Sequence, residues 1–331
     1  MTKAILVFVL AASSFAAHGF GFSFGSSTKT EVPSWVANPS EDNAEYIYGI
    51  GSGDTLKKAE QSALNSITGK LATVVSSNVS ASTTVQQGNV NSSFSEDIKT
   101  KTYDTKLSGY EIVNSASQSG VFYAMVRMSR AAFVKDTLAR LHTIDDRLQS
   151  KVAIASKVSK LQQYFALMEI KPDVLDATSL VYLLQAASPS FDSESYLSAY
   201  RKYQVMADEL LYQIHFKVVS RAEMQPVADM VIGLLGEQRL SASEDEGRPD
   251  ASITIKGATQ RSKMFGDYMT QLRVTIQVQD KSGRKINAQE YVVAGSSRTS
   301  FDNSMITATK LLQQKLEEDG ILVAIGMQKP Q

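Results

Sequence analysis

The sequence predicts an α+β protein made of two small α+β domains separated by a helical hairpin or bundle. Residues 46–52 are β-branched or aromatic with glycines interposed, 109–117 and 121–129 read as two strands joined at Gln118-Ser119-Gly120, and further strands fall at 251–255, 268–278 and 286–293. Between them, Val134, Leu138, Leu141, Ile144, Leu148, Val152, Ala155, Val158, Leu161 and Phe165 recur at threes and fours without a Gly or Pro. A chain of 331 residues with 43% hydrophobic composition can bury more than one core.

The first segment reads as an export signal. Lys3 supplies a positive charge, 4–12 is an unbroken apolar run, and 13–19 offers small residues for cleavage after Ala16 or Gly19. That run is far below the ~20 residues a membrane-crossing helix needs. Residues 20–32, with Phe20, Phe22 and Phe24 among Gly and Ser, form a flexible tether or an arm that docks on a neighbouring subunit.

The first α+β domain covers 33–130. Tyr46 to Ser52 predicts a strand that turns at Gly51-Ser52-Gly53, and Asp54 or Thr55 caps a helix whose Leu56, Ala59, Ala63, Ile67 and Leu71 share one face. Val75, Val79, Ala81 and Val85 share one parity and predict a second, half-exposed strand over 74–86. A Gln87-Gly88-Asn89 turn and a short surface helix with Phe94 and Ile98 follow. Strands at 109–117 and 121–129 then form a hairpin about Gln118-Ser119-Gly120, giving the order β-α-β-α-β-β.

The helical region covers 131–213. Its pattern predicts one continuous helix over 131–168, about 57 Å long at ~1.5 Å per residue. Pro172 and Pro189 bracket a second helix over 173–187, and a third over 194–215 carries Tyr196, Tyr200 and Tyr203 as core packing. The second α+β domain, 214–331, predicts strands at 214–219, 251–255, 268–278 and 286–293, helices at 223–235 and 301–318, and a closing strand at 321–324. Asp280-Lys281-Ser282-Gly283 is its hairpin turn, and 244–250 is a charged loop.

Candidate chemistry is sparse. The Gly49-Ile50-Gly51-Ser52-Gly53 run lacks the lysine of a P-loop and the spacing of a dinucleotide fingerprint, so its glycines read as turn and packing residues. His142 and His215 fall in different predicted helices, no HExxH or Gly-x-Ser-x-Gly occurs, and the pairs Asp145-Asp146 and Glu317-Glu318 sit on solvated helix faces. The expectation is a protein that is not an enzyme, with no catalytic, cofactor-binding or metal-ligating residues and no cofactor. The balance of 34 basic against 34 acidic residues argues against nucleic acid as a partner. With no cysteine, disulfides and lipid attachment to a thiol are excluded, so membrane contact is expected only through partners. Trp35 reads as an anchor for the entering chain, with an interface residue as the alternative.

Pro33-Ser34-Trp35, Tyr48-Gly49-Ile50-Gly51-Ser52-Gly53, the Ala59 and Ala63 helix, and the hairpin from Leu107-Ser108-Gly109 to Met128 resemble the LPP-twenty family of bacterial outer-membrane lipoproteins and related flagellar accessory domains. The likeness covers the first third of the mature chain. It implies noncatalytic work in the Gram-negative envelope, including ring-like assemblies at the flagellar motor, with Trp35, Tyr48, Gly49, Gly51 and Gly53 as structural or interface residues. The family's lipobox cysteine is missing. The combined expectation is a periplasmic protein, peripheral to the outer membrane, that forms a homo-oligomer and joins envelope proteins such as flagellar basal-body components. The alternative is a binding module or regulator of a cell-wall or transport enzyme.

Overall fold

The computed structural model describes residues 32–85, 92–103, 105, 107–245 and 247–329. The export signal, the 20–31 part of the tether and the 87–89 turn lie outside them. In the first unit, Pro33 precedes a one-turn helix, α1 (Ser34–Ala37), and strand β1 (Tyr46–Gly53) leads into helix α2 (Leu56–Val85). Helix α3 (Ser92–Tyr103), β2 (Tyr110–Gln118) and β3 (Val121–Ser129) complete it. The sheet is antiparallel in the order β1-β3-β2. As predicted, β2 and β3 form a hairpin, and Ser119 and Gly120 at its turn both have positive φ, 52° and 80°.

Two readings are corrected here. The Gly51-Ser52-Gly53 run expected to turn the chain lies inside β1, paired with Ala124, Tyr123 and Phe122 of β3. The predicted strand over 74–86 is instead the second half of α2, so the observed order is β-α-α-β-β. Val75 and Val79 extend the i, i+4 row Ala63, Ile67, Leu71, and all five are buried. Residues four apart share a strand parity as well as a helix face, so the period of two was also satisfied. Helix α3 is present, yet Ile98 is buried and packs toward α2 and α5 rather than lying at the surface.

The helical region holds α4 (Arg130–Ala155), α5 (Lys160–Ala187) and α6 (Ser193–Tyr212). The continuous helix expected over 131–168 breaks at 156–159, where Ser159 caps α5 by accepting from the Gln162 N–H. Pro172 lies inside α5 instead of preceding it. The proline removes one backbone bond there, which packing compensates: from Val174 to Ala187 nearly every side chain is buried among α2, α3, α4 and α6. Tyr200 is core, as expected, and donates its hydroxyl to Asp145 of α4 at 2.5 Å.

The last unit contains β4 (His215–Ser220), a 3-10 turn at Ala222–Met224, α7 (Gln225–Glu237), β5 (Ser241–Ser243), β6 (Ala251–Met264), β7 (Asp267–Asp280), β8 (Lys285–Ser297), α8 (Phe301–Asp319) and α9 (Ile321–Ala324). The sheet order is β5-β4-β6-β7-β8, with β4 parallel to both of its neighbours and the rest antiparallel. Helices α7 and α8 pack against this sheet. Alternate residues along β7, Leu272, Val274, Ile276 and Val278, are fully buried beneath them. His215 opens a strand, not the end of a helix, and the closing strand at 321–324 is helix α9. Ile321, Ala324 and Ile325 are buried at helical spacing there, which a four-residue aliphatic run cannot reveal alone.

Candidate interaction surface

Helix α2 lies on the β1 and β3 part of the first sheet because the strand face toward it has almost no side chains. A Cβ on Gly49 would lie 2.8 Å from Ile67 Cγ1, and one on Gly53 2.6 Å from Lys58 Cβ. Gly49, Gly51 and Gly53 therefore seat the helix and are not presented to a ligand. Tyr48 points to the opposite face, half-buried like its neighbour Tyr46, their rings 6.3 Å apart. Arg127 stacks over the Tyr46 ring at 4.5 Å and donates to Glu111. That hydrogen bond holds the guanidinium above its ordinary pKa. Trp35 is half-buried within α1, at the start of the segment that leads to β1. Met125, on the Tyr48 face of β3, is fully buried, and Ser40 of that entering segment reaches its sulfur.

The two edges of the sheet differ. On β1, the Tyr48 N–H donates to Asp42 Oδ1 at 2.9 Å, while Lys70 donates to the Tyr48 carbonyl at 2.8 Å and also pairs with Asp42. Side chains thus occupy the Tyr48 backbone groups that an added strand would need at the middle of this edge. On β2, α2 covers little, and Tyr110, Ile112 and Val113, with Val121 across the turn, remain 38–42% exposed. This strand carries no Lys or Pro, and only the bulge at Val113 interrupts it. Sequence reasoning missed this surface, although the Tyr-Glu-Ile-Val run without a lysine is the signal that points to it.

Arg130 joins the unit to the helical region. Its backbone N–H donates to Glu45 O, its Nε to Asn43 O at 2.8 Å and its guanidinium NH1 to Ala187 O at 2.9 Å. These contacts border a groove of about 830 Å³ between α2, α4 and the α5–α6 turn. Its polar lining residues Asn78 and Gln185 are hydrogen-bonded to each other.

The other candidate groups are separate. His142 is exposed on α4, while His215 at the start of β4 faces Ser241 at 3.2 Å. Asp145 is engaged by Tyr200, and Glu317 and Glu318 are exposed near the end of α8. Among the described residues no three His, Cys, Asp or Glu side chains gather as metal ligands, and no helix is long and apolar enough to cross a membrane.

Residues 33–129 match the family model described as LPP20 lipoprotein. A search of curated proteins gave no match. Among solved structures, the secreted protein HP1454 from the human pathogen Helicobacter pylori is similar at 18% identity and a TM-score of 0.42, over 84% of this chain and 98% of that one. A minor lipoprotein from Acinetobacter baumannii is similar at 16% identity and a TM-score of 0.27, over 33% of this chain and 91% of that one. Over residues 33–129, then, the chain carries the pattern of the LPP20 lipoprotein family, and with it the mark of an envelope-associated, extracytoplasmic protein.

Proposed function

We propose that the protein is a noncatalytic assembly component of the Gram-negative envelope, a flagellar accessory protein of the periplasm that works as a homo-oligomer. The open edge of β2 carries this reading. The β1 edge is blocked at Tyr48 by Asp42 and Lys70, whereas β2, flanked by exposed Tyr110, Ile112 and Val113, pairs with no strand but β3 among the described residues. A neighbouring copy that adds its own strand there would gain main-chain hydrogen bonds and cover apolar surface. The LPP20 pattern over the same residues supports an envelope setting for that assembly.

The test has two arms. Light scattering on the exported protein is expected to show an oligomer, and Ile112→Lys, an exposed position whose fold is checked by circular dichroism, is expected to dissociate it. In cells, cross-linking of a carboxy-terminally tagged protein, followed by mass spectrometry, is expected to recover flagellar basal-body components. A monomeric wild type refutes the oligomer, and recovery of cell-wall or transport enzymes instead makes the protein their regulator.

A further inference from the structure

The β6–β7 hairpin places a phenylalanine where folding has no use for it. Strand β6 pairs with β4 only as far as Ile255, yet it continues beside β7 to Met264, with residues 256–264 exposed. At the tip, Phe265 is 101% exposed and Met264 53% exposed. Phe265 and Gly266 have φ of 49° and 90°, the left-handed pair of a two-residue hairpin turn. Asn, Asp or Gly suits the first of these positions, and Ser119 holds it in the β2–β3 hairpin. A bulky side chain there is strained as well as solvated. Strain combined with full exposure of an aromatic ring marks a position kept for contact with something else.

The chemistry behind the tip says what that contact is. Arg261, Lys263 and Arg298 stand with Asp267 and Asp302, three cations to two anions. The two carboxylates face Arg298 and Arg261 at 3.9 and 3.7 Å. Lys263 is the surplus charge, its ammonium over the Tyr268 ring at 4.5 Å. An apolar point, a tyrosine one step back and a net positive collar match the layers of an anionic bilayer surface: acyl chains, interface and headgroup phosphate. We infer that the Met264-Phe265 tip inserts reversibly into the surface of an anionic lipid bilayer. The sequence contains no cysteine to carry a thiol-linked lipid, and the tip supplies a membrane contact made by the chain itself rather than through partners. One ring and one methionine bind weakly, so repeated tips in an oligomer would set the strength.

The experiment is flotation of the exported protein with phosphatidylcholine vesicles, with and without phosphatidylglycerol, at low and high salt. Wild type is expected to float with the anionic vesicles and to be released by salt. Phe265→Asn is expected to lower partitioning about tenfold or more. The same substitution is expected to raise Tm, because asparagine accepts the left-handed backbone; loss of binding from misfolding would lower it. Lys263→Gln is expected to weaken flotation and its salt dependence. Equal flotation of Phe265→Asn, or binding indifferent to phosphatidylglycerol, overturns the inference. So does a wild type that ignores vesicles, and a Phe265-dependent cross-link to a protein in that case would assign the tip to a protein pocket.

Discussion

Gly51 of β1 lies against the backbone of Ala63 in α2 so closely that a Cβ on the strand residue would sit 2.6 Å from the Ser62 carbonyl carbon. Strand and helix touch main chain to main chain. The same device recurs in the last unit, where a Cβ on Gly295 of β8 would lie 2.9 Å from Ala308 Cα of α8. Gly51→Ala is therefore expected to destabilise the protein by about 2 kcal/mol, since neither backbone can give way without opening the core. Gly69, inside α2, has open space around its missing Cβ. Gly69→Ala is expected to stabilise by about 1 kcal/mol through helix propensity alone. Urea denaturation of the two variants should move the midpoint in opposite directions.

A second pair tests what a buried hydroxyl contributes. Tyr164 of α5 donates to the Met327 carbonyl at 2.8 Å, whereas the buried Tyr291 hydroxyl of β8 has no partner among the described residues. Tyr164→Phe is expected to cost about 1 kcal/mol and Tyr291→Phe to be neutral or slightly stabilising. Burial pushes both phenols up to about 12, with Asp208 and Asp319 adding to the effect. Their folded pKa lies above the ordinary value of 10.0, so their contribution is intact below pH 10 and is lost as pH rises toward 12. Alkaline unfolding monitored by circular dichroism should shift to higher pH in the double variant.

Arg130 provides the third prediction. Its fork reaches the carbonyls of Asn43 and Ala187, which belong to the segment before β1 and to the end of α5. Arg130→Ala strands both acceptors and is expected to cost about 2 kcal/mol, within the range for charged hydrogen bonds. Arg130→Lys should recover little, because one ammonium cannot reproduce the fork. Limited proteolysis should show faster cleavage in residues 38–45 for both variants.

The sequence carried the elements whose pattern and packing agree. Ala59 and Ala63 announced a helix able to approach a sheet closely, and Ser119-Gly120 announced a hairpin, while Gly51 and Gly53 suggested a turn where the strand in fact runs on. Val75 and Val79 misled because a spacing of four satisfies both periods, and most of the remaining residues of that stretch are Ser, Asn and Thr, which choose neither. The α4–α5 break was invisible because its Ser156-Lys157-Val158-Ser159 contains no Gly or Pro, while Pro172, a nominal breaker, is held in α5 by tertiary packing. The second half of β6 has no buried face to set an alternation, so its extension and the exposed tip could be seen only in three dimensions. At the β2 edge the lysine-free Tyr-Glu-Ile-Val run is a local signal, but the exposure of that edge also depends on how far α2 reaches across the sheet, which the run does not encode.

The Asp280 turn yields the acid-side prediction. Asp280 closes β7, its side chain nearly inaccessible, and Oδ1 accepts from the Ser282 hydroxyl at 2.5 Å and from the backbone N–H groups of Ser282 and Arg284. Arg284 Nε donates to Oδ2 at 3.2 Å. The Ser282 hydroxyl first, and then these other partners, hold the carboxyl below its ordinary pKa of 3.8. A depressed folded pKa means the stabilisation is complete above the unfolded value and is lost as pH falls through the folded one. Asp280→Asn keeps an acceptor for the turn but cannot titrate. It should therefore lower Tm at pH 7 and flatten the decline in Tm below about pH 4. Parallel curves for the two proteins across that acid range would show that the carboxylate does not couple this turn to pH.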